Sequence, residues 1–368
     1  MPQKHSPVNN RLLSLDAFRG IAIAGMILVN NFESNTYPQL NHAVWNGWTV
    51  ADTVFPFFLW IMGVAMVFSL QKRVAKDRAK KTVVFHILLR SLILFIIGML
   101  LYSFPYYNLH TIRIPGVLQR IAICYLVGSL IFLHTKIRGQ ILWIISLLTI
   151  YLLLLKFVPI PGYSTGILDK ERNIVQYMDV LFLKGHLYSQ TWDPEGILST
   201  LGATATTLFG ILTGQLLVIG KSAPIKKVML MISSGIYLLL LGLILDRWLP
   251  INKTLWTSSY AVFMAGLAVI LFSLLYFLID IKGYKTWHKP LAIYGLNSIA
   301  LYIFSIIMSK LLMMIRLHNT SGWDFILINI YYPLAGSKNA SLLWSLTLVL
   351  FFYEVAYVMY KKNWILRI

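Results

Sequence analysis

The residues of this chain best suited to chemistry lie close to its start. From His42 to Gly63 it reads HAVWNGWTVADTVFPFFLWIMG. A histidine, two tryptophans, an asparagine and an aspartate stand directly before a long apolar run. None of these polar groups helps a helix enter a membrane, and polar residues held against a spanning helix usually serve a site. An imidazole is the side chain best suited to take up a proton near neutral pH. Around His42, Asn46 offers amide hydrogen bonds, Gly47 permits close approach and Asp52 can fix the ring tautomer. Plainer roles compete with each of these. A single histidine is most often structural. Trp45 and Trp48 serve equally well as interfacial anchors. Asp52 begins a helix, where a carboxylate favours the positive end of the dipole. Other histidines also compete: His110, His186 and His318 on one side of the membrane, His5, His134 and His288 on the other. His86 shares a helix face with Arg90 inside a span.

The elements that must position these residues are membrane spans. Of 368 residues, 58% are hydrophobic and only 12% charged, against about 25% charged in soluble domains. Mean hydropathy is +0.71. A core of this size cannot bury so much apolar surface, so lipid must be part of the solvent. The net charge of +19 would fit a nucleic-acid partner, but the apolar content argues against one. Runs of about 20 apolar residues predict an all-α polytopic protein with ten spans, near 12–32, 50–70, 83–104, 114–133, 141–158, 195–219, 228–248, 256–278, 291–313 and 342–360. A shorter apolar stretch at 323–334, with Asp324, Asn329 and Pro333, suits a re-entrant or short interfacial helix.

Basic residues orient the bundle. With the N-terminus in the cytoplasm, cytoplasmic segments hold nineteen Lys and Arg, outer segments nine, and four lie within spans. Eleven full spans would put Lys361, Lys362 and Arg367 outside, which favours ten. Residues 1–11 are then a cytoplasmic tail and 12–368 a single transmembrane domain, with both termini cytoplasmic. No small-residue cleavage site follows the tail, so the first span is expected to be retained. The longest loop, about 159–194, is on the outer face with His42, and long loops are often functional. The single cysteine, Cys124, allows no internal disulfide and no cysteine zinc site. No His, Asp or Glu cluster has metal-ligand spacing, so no metal is expected.

Several long motifs carry a resemblance. RLLSLDAFRGIAIAGMILVNN (Arg11–Asn31), followed by the His42–Gly63 segment, resembles the start of the heparan-α-glucosaminide N-acetyltransferase family. IPGVLQRIAICY (Ile114–Tyr125), WDPEGILSTLGATATTLFGILTGQ (Trp192–Gln215), LWTSSYAVFMAGLA (Leu255–Ala268), GLNSIALY (Gly295–Tyr302) and MYKKNWILRI (Met359–Ile368) follow in order. The lysosomal member has a further lumenal domain and one preceding helix. Their absence here agrees with ten spans and implies a bacterial inner-membrane relative. The resemblance implies transfer of acetyl from cytosolic acetyl-CoA, as co-substrate, to a terminal glucosamine amine on the far side of the membrane, with His42 at the family's active histidine.

That implied chemistry assigns further residues. His42 acts as general base or as a transient acetyl acceptor. Asn30, Asn31 and Asn46 are candidate donors to the thioester carbonyl, with helix-end capping as the alternative for the first two. Intramembrane cations rarely face lipid, so Arg19, Arg90, Arg120 and Lys310 are candidates for acetyl-CoA, together with Gln119. Arg19 is one turn from Asp16, so an ion pair competes. Arg90 lies toward the cytoplasmic half and suits phosphate, whereas Arg120 lies nearer the reaction end. Trp192, Asp193 and Glu195, at the mouth of the sixth span, are candidates for the acceptor, as is Trp45. Belt and capping roles compete. A sugar or glycolipid transporter or flippase, or an O-acyltransferase of cell-envelope glycans, is the alternative function. The acceptor is an amino sugar or glycosaminoglycan-type glycan, and a homodimer is among the oligomeric states the sequence leaves open.

Overall fold

A computed structural model describes residues 12–32, 37–74, 80–108, 110–218, 223–284 and 286–366. The 1–11 tail and the basic residues Lys76, Arg78, Lys221, Lys285 and Arg367 lie outside the described residues. The chain is all-α and polytopic. In order its helices are α1 (Leu13–Asn30), α2 (Val54–Val74), α3 (Lys80–Ser103), α4 (Val117–His134), α5 (Ile137–Phe157), α6 (Ile174–Leu183), α7 (Ser199–Val218), α8 (Pro224–Asp246), α9 (Ser258–Leu275), α10 (His288–Leu296), α11 (Ser298–Met314), α12 (Gly322–Ile326) and α13 (Tyr332–Lys361). Two short antiparallel ladders, Leu168–Asp169 with Arg172–Asn173 and Arg316–Leu317 with Thr320–Ser321, are the named strands among these residues.

Among the described residues nine helices are long and apolar enough to span a membrane, and the bent pair α10–α11 brings the number to ten. That pair turns by 75° at Asn297, whose Nδ2 donates to the Trp364 carbonyl while its Oδ1 accepts the Leu366 N–H. The predicted 291–313 span is therefore broken: its apolar content runs through a polar hinge that the C-terminal segment seals. The stretch near 323–334 forms α12, a π-turn at Leu327–Tyr331 and the start of α13.

Helices α2 and α7 are the centre, with 72% and 67% of their spans buried, whereas α3, α5 and α8 bury 28% or less and face lipid. The central contact is made by small residues, because lipid supplies no hydrophobic drive and backbones must approach closely instead. A Cβ on Gly63 would lie 2.1 Å from the Thr207 carbonyl, and one on Gly210 would lie 2.0 Å from that of Trp60. Either alanine would push α2 and α7 apart. At the other rim, α1 lacks a side-chain cap of its own. Asp280 supplies one, accepting the Leu13 and Ser14 N–H groups at 3.2 and 3.1 Å, which satisfies donors that a helix start leaves unpaired.

Three segments gather at the end of the bundle opposite this cap. They are residues 37–53, the long 158–198 connection and the 247–257 loop. Trp45 Nε1 donates to the Leu168 carbonyl at 2.8 Å, and the Gly47 N–H donates to that of Ile251 at 2.8 Å. These bonds dock the first loop onto the other two, and the polar residues read from the sequence meet there.

Candidate active site

His42 and Asp52 are ten residues apart and form a pair, Nδ1 to Oδ1 at 2.8 Å. The imidazole is 48% exposed and the carboxylate wholly buried. A carboxylate only accepts, so Nδ1 carries a proton, and in the neutral ring Nε2 is left with the lone pair. Asp52 Oδ2 accepts the Ala43 and Thr49 N–H groups, both at 3.0 Å. Thr49 and Asp52 form a reciprocal capping box at the turn that opens the second span. The two roles read for Asp52 are thus one arrangement: the helix-start carboxylate also holds the histidine.

Lys253 completes this cluster from 211 residues away. Its Nζ is 3.3 Å from Asp52 Oδ1 and 2.9 and 3.1 Å from the two ring nitrogens of His42. Near-equal distances put the amine against the ring face, in line with neither nitrogen. Burial pushes the Lys253 ammonium below its ordinary value, against the opposing pull of Asp52 and Glu195. Tyr260 donates its hydroxyl to the Asp52 carbonyl at 2.6 Å. Asn46 accepts from Asn252 Nδ2 at 3.2 Å, and Asn252 Oδ1 accepts the Leu255 N–H at 2.9 Å. Asn46 therefore helps hold the loop that carries Lys253.

Inward of the cluster, Arg120 lies in the first turn of α4, 1% exposed. Its Nη2 donates to the Gly196 carbonyl and to Ser199 Oγ, and the guanidinium sits 5.1 Å above the Trp256 ring. Nε and Nη1 have no partner among the described residues, nor has either amide atom of the adjacent, buried Gln119. A cation and an amide with free donors, buried beside the reactive end, are suited to a polarised carbonyl or an oxyanion.

The sixth span begins at Ser199 rather than 195, so Asp193 and Glu195 do not cap it. They clamp Arg113 instead. Asp193 takes its Nε and Nη2 at 2.8 and 2.7 Å, and Glu195 takes Nη2 at 2.5 Å. Burial works against the Arg113 charge, but the carboxylates outweigh it and hold the guanidinium above its ordinary value. Trp192 and Trp45 line one small cavity with Asp193 and Asp179, so two indoles far apart in sequence do come together.

Toward the end with the Asp280 cap, a cavity of about 650 Å³ opens between α1, α2, α3 and α4, within the 300–1,000 Å³ range of small-molecule sites. Arg19, Arg73, His86 and Arg90 line it, along with Ser69 and Asn297. Arg90 stacks 4.6 Å above Tyr125, and its buried Nε has no partner among the described residues. Arg19 reaches Asp16 at 3.4 Å. Other candidates lie apart from this cavity. Lys310 donates to the carbonyls of Leu101, Tyr102 and Phe104 at 2.8, 3.0 and 2.8 Å, capping α3 with all three protons. Asn31 is buried; its Nδ2 donates to Ile27 and its Oδ1 accepts from Ser309 Oγ, both at 2.7 Å. Asn30 is exposed at the end of α1.

Lys253, Arg113, Tyr260 and Asp179 carry no local signature of a site in the sequence. The one signal is that both cations stand in loops with few others, next to the motifs that carry the resemblance.

Fold and site together define a polytopic membrane protein with a histidine–aspartate–lysine cluster at one end of the bundle and an arginine-lined cavity toward the other. Residues 11–181 match the family model described as heparan-alpha-glucosaminide N-acetyltransferase, catalytic. The heparan-alpha-glucosaminide N-acetyltransferase of Mus musculus is 30% identical over 359 residues, covering 82% of this chain and 54% of the relative. That of Homo sapiens is 32% identical over 352 residues, covering 80% and 52%. The chain is similar to the heparan-α-glucosaminide N-acetyltransferase family over most of its own length, and it spans about half the length of these curated relatives.

Proposed function

We propose that this chain is a transmembrane acetyltransferase moving acetyl from acetyl-CoA to the amine of a terminal glucosamine or related amino sugar. The observation that carries this reading is His42, exposed at the loop end with Nδ1 held by a buried carboxylate and the Lys253 amine against its ring, inside the segment matched by the family model. The relatives' names specify a heparan glucosaminide, and we extend only the amino-sugar class to this chain.

Acetyl-CoA carries phosphates at one end and a thioester at the other. The 650 Å³ cavity with Arg19, Arg73 and Arg90 suits the phosphates, and among the described residues its lining includes no acid. The thioester then points past Ile121, which lines that cavity, toward Arg120 and Gln119. The free donors of Arg120 polarise the carbonyl, and Lys253 stands at the same end to stabilise the oxyanion. The acceptor amine attacks the carbonyl carbon, and His42 Nε2 removes its proton or takes the acetyl first and passes it on. The C–S bond breaks, the amide forms, and the CoA thiolate leaves with the proton that His42 releases. The cytoplasmic side is assigned to the cavity end and the outer side to His42, following the charge bias.

A transporter reading has one observation in its favour, the broken span at Asn297, because broken helices often form substrate sites. Both ends of the Asn297 amide are already engaged by the C-terminal backbone, so the acetyltransferase reading is preferred. The test is free CoA release by the purified full chain given acetyl-CoA and glucosamine or a glucosaminide. Release that depends on the amino sugar supports the proposal. Background release with every amino sugar tried, or sugar uptake into liposomes without CoA, overturns it.

A further inference from the structure

The small cavity beneath Trp45 and Trp192 has an unusual lining. It measures about 10 Å³, close to the minimum for one water-sized group, so it admits a single polar substituent and no ring. Asp179 and Gln176 line it, 1% and 8% exposed. Asp179 Oδ1 accepts the Ile197 N–H at 2.8 Å. Asp179 Oδ2 and Gln176 Oε1 have no hydrogen-bond partner among the described residues. Buried acceptors of this kind ordinarily find a donor.

The neighbouring groups do not supply one. Asp193, on the same cavity, is fully engaged by Arg113, Tyr188 and Glu195. The Asn173 amide is taken by the Asp169 carbonyl and the Gln176 N–H. Lys170 is exposed and lies over the Trp192 ring at 5.7 Å. Two buried acceptors, Asp179 Oδ2 and Gln176 Oε1, thus face the cavity unengaged among the described residues, and they call for a ligand group that donates. Burial, reinforced by Asp193 and opposed by Arg120, pushes the Asp179 carboxyl up to about 7. A fixed full charge is thus disfavoured there, and a hydroxyl, which donates to the carboxylate and accepts from the acid, fits either state better than a cation. The sequence makes room for the carboxylate with a glycine, since a Cβ on Gly196 would lie 1.9 Å from Asp179 Oδ2.

Position connects this cavity to the reaction. Trp45 is three residues from His42 in the same loop, and Thr254, also lining the cavity, follows Lys253. An indole face is a platform for a sugar ring, and two indoles flank this opening. We infer that Asp179 and Gln176 form an acceptor-recognition subsite that takes one hydroxyl of the amino sugar while the ring rests on Trp45 and Trp192. The inference rests on the proposed function and names how its acceptor is chosen. Asp179 is a specificity residue and touches no reacting atom.

The test separates the two ideas by measuring binding without acetyl-CoA. The purified full chain is titrated with methyl α-glucosaminide and its monodeoxy derivatives, followed by tryptophan fluorescence or calorimetry. Asp179→Asn keeps the bond to Ile197 and replaces the free acceptor with an amide donor. It should weaken the parent sugar about tenfold. One monodeoxy sugar should bind wild type and variant equally, because it lacks the hydroxyl that Asp179 reads. A merely structural role would weaken every sugar alike. If Asp179→Asn fails to fold, Gln176→Leu is read the same way. Unchanged affinity for the whole series in the folded variant, a uniform loss across it, or no sugar binding by wild type overturns the inference. Sugar binding with this pattern but no acetyl transfer would overturn the proposed function alone. Transfer to glucosaminide with kcat/KM untouched by Asp179→Asn would overturn the subsite alone.

Discussion

The two ends of this bundle treat charge in opposite ways. At the loop end two cations are locked to acids: Lys253 to Asp52, and Arg113 to Asp193 and Glu195, with Arg120 behind them bound to a carbonyl and a hydroxyl. Around the 650 Å³ cavity, Arg73 and Arg90 share a lining with Arg19 and His86 and with no acid among the described residues. Among the described residues only Arg19 of these has a carboxylate in reach, at 3.4 Å and partly exposed. Paired charges build rigid geometry, since truncating one partner strands the other in a poor solvent. Cations gathered without acids await an anion. On the proposed reading, one end is organised to hold reacting groups still, and the other to receive a phosphate-bearing molecule.

The largest effect expected from breaking this contrast is at His42. His42→Ala removes the proton acceptor and should lower kcat by about 10³-fold or more, with acetyl-CoA affinity retained in a direct binding assay. Lys253→Met comes next. It keeps the stem and removes the charge, and should lower kcat by about 10²-fold, the scale of losing one oxyanion donor. At the other end, Arg90→Gln should leave kcat near wild type and raise the Kd for acetyl-CoA about tenfold, with a weaker dependence on salt. If Arg90→Gln instead abolished kcat with Kd unchanged, the division of labour between the ends would be wrong.

The smallest effect is on stability. The Asp179 carboxyl is raised to about 7 in the fold, from 3.8. Between those values the folded protein keeps a proton that the unfolded chain has released. Wild type should therefore lose stability as pH rises from about 4 to 7, with the loss complete above the folded value. Asp179→Asn carries no such slope. Its melting temperature relative to wild type should rise between pH 5 and pH 8, and a flat difference would contradict the buried, protonated carboxyl.

What could be read from residues alone follows the range of the interactions. A span is a property of about 20 consecutive residues, so ten apolar runs were visible, including the one that proves broken. The Asn297 hinge was not, because the apolar composition continues on both sides and its partners, Trp364 and Leu366, are 67 and 69 residues away. His42 and Asp52 were legible because one short segment holds both. Lys253 arrives from 211 residues away, and nothing local to Asn252–Lys253–Thr254 announces a partner. Asp193 and Glu195 looked available to a ligand until Arg113, 80 residues before Asp193, took them. Lys310 and Asn31 show the same limit: residue type marks a polar group in a membrane as consequential, but only the fold shows which backbone it serves.

The central claim is that acetyl crosses between two ends with separate substrates, and proteoliposomes test it most directly. Acetyl-CoA is confined to one side, methyl α-glucosaminide to the other, and both free CoA and N-acetylated sugar are measured on each side. The account predicts free CoA where acetyl-CoA was supplied and acetylated sugar only on the opposite side, with both absent in His42→Ala. Product formed solely when the two substrates share one side would contradict it.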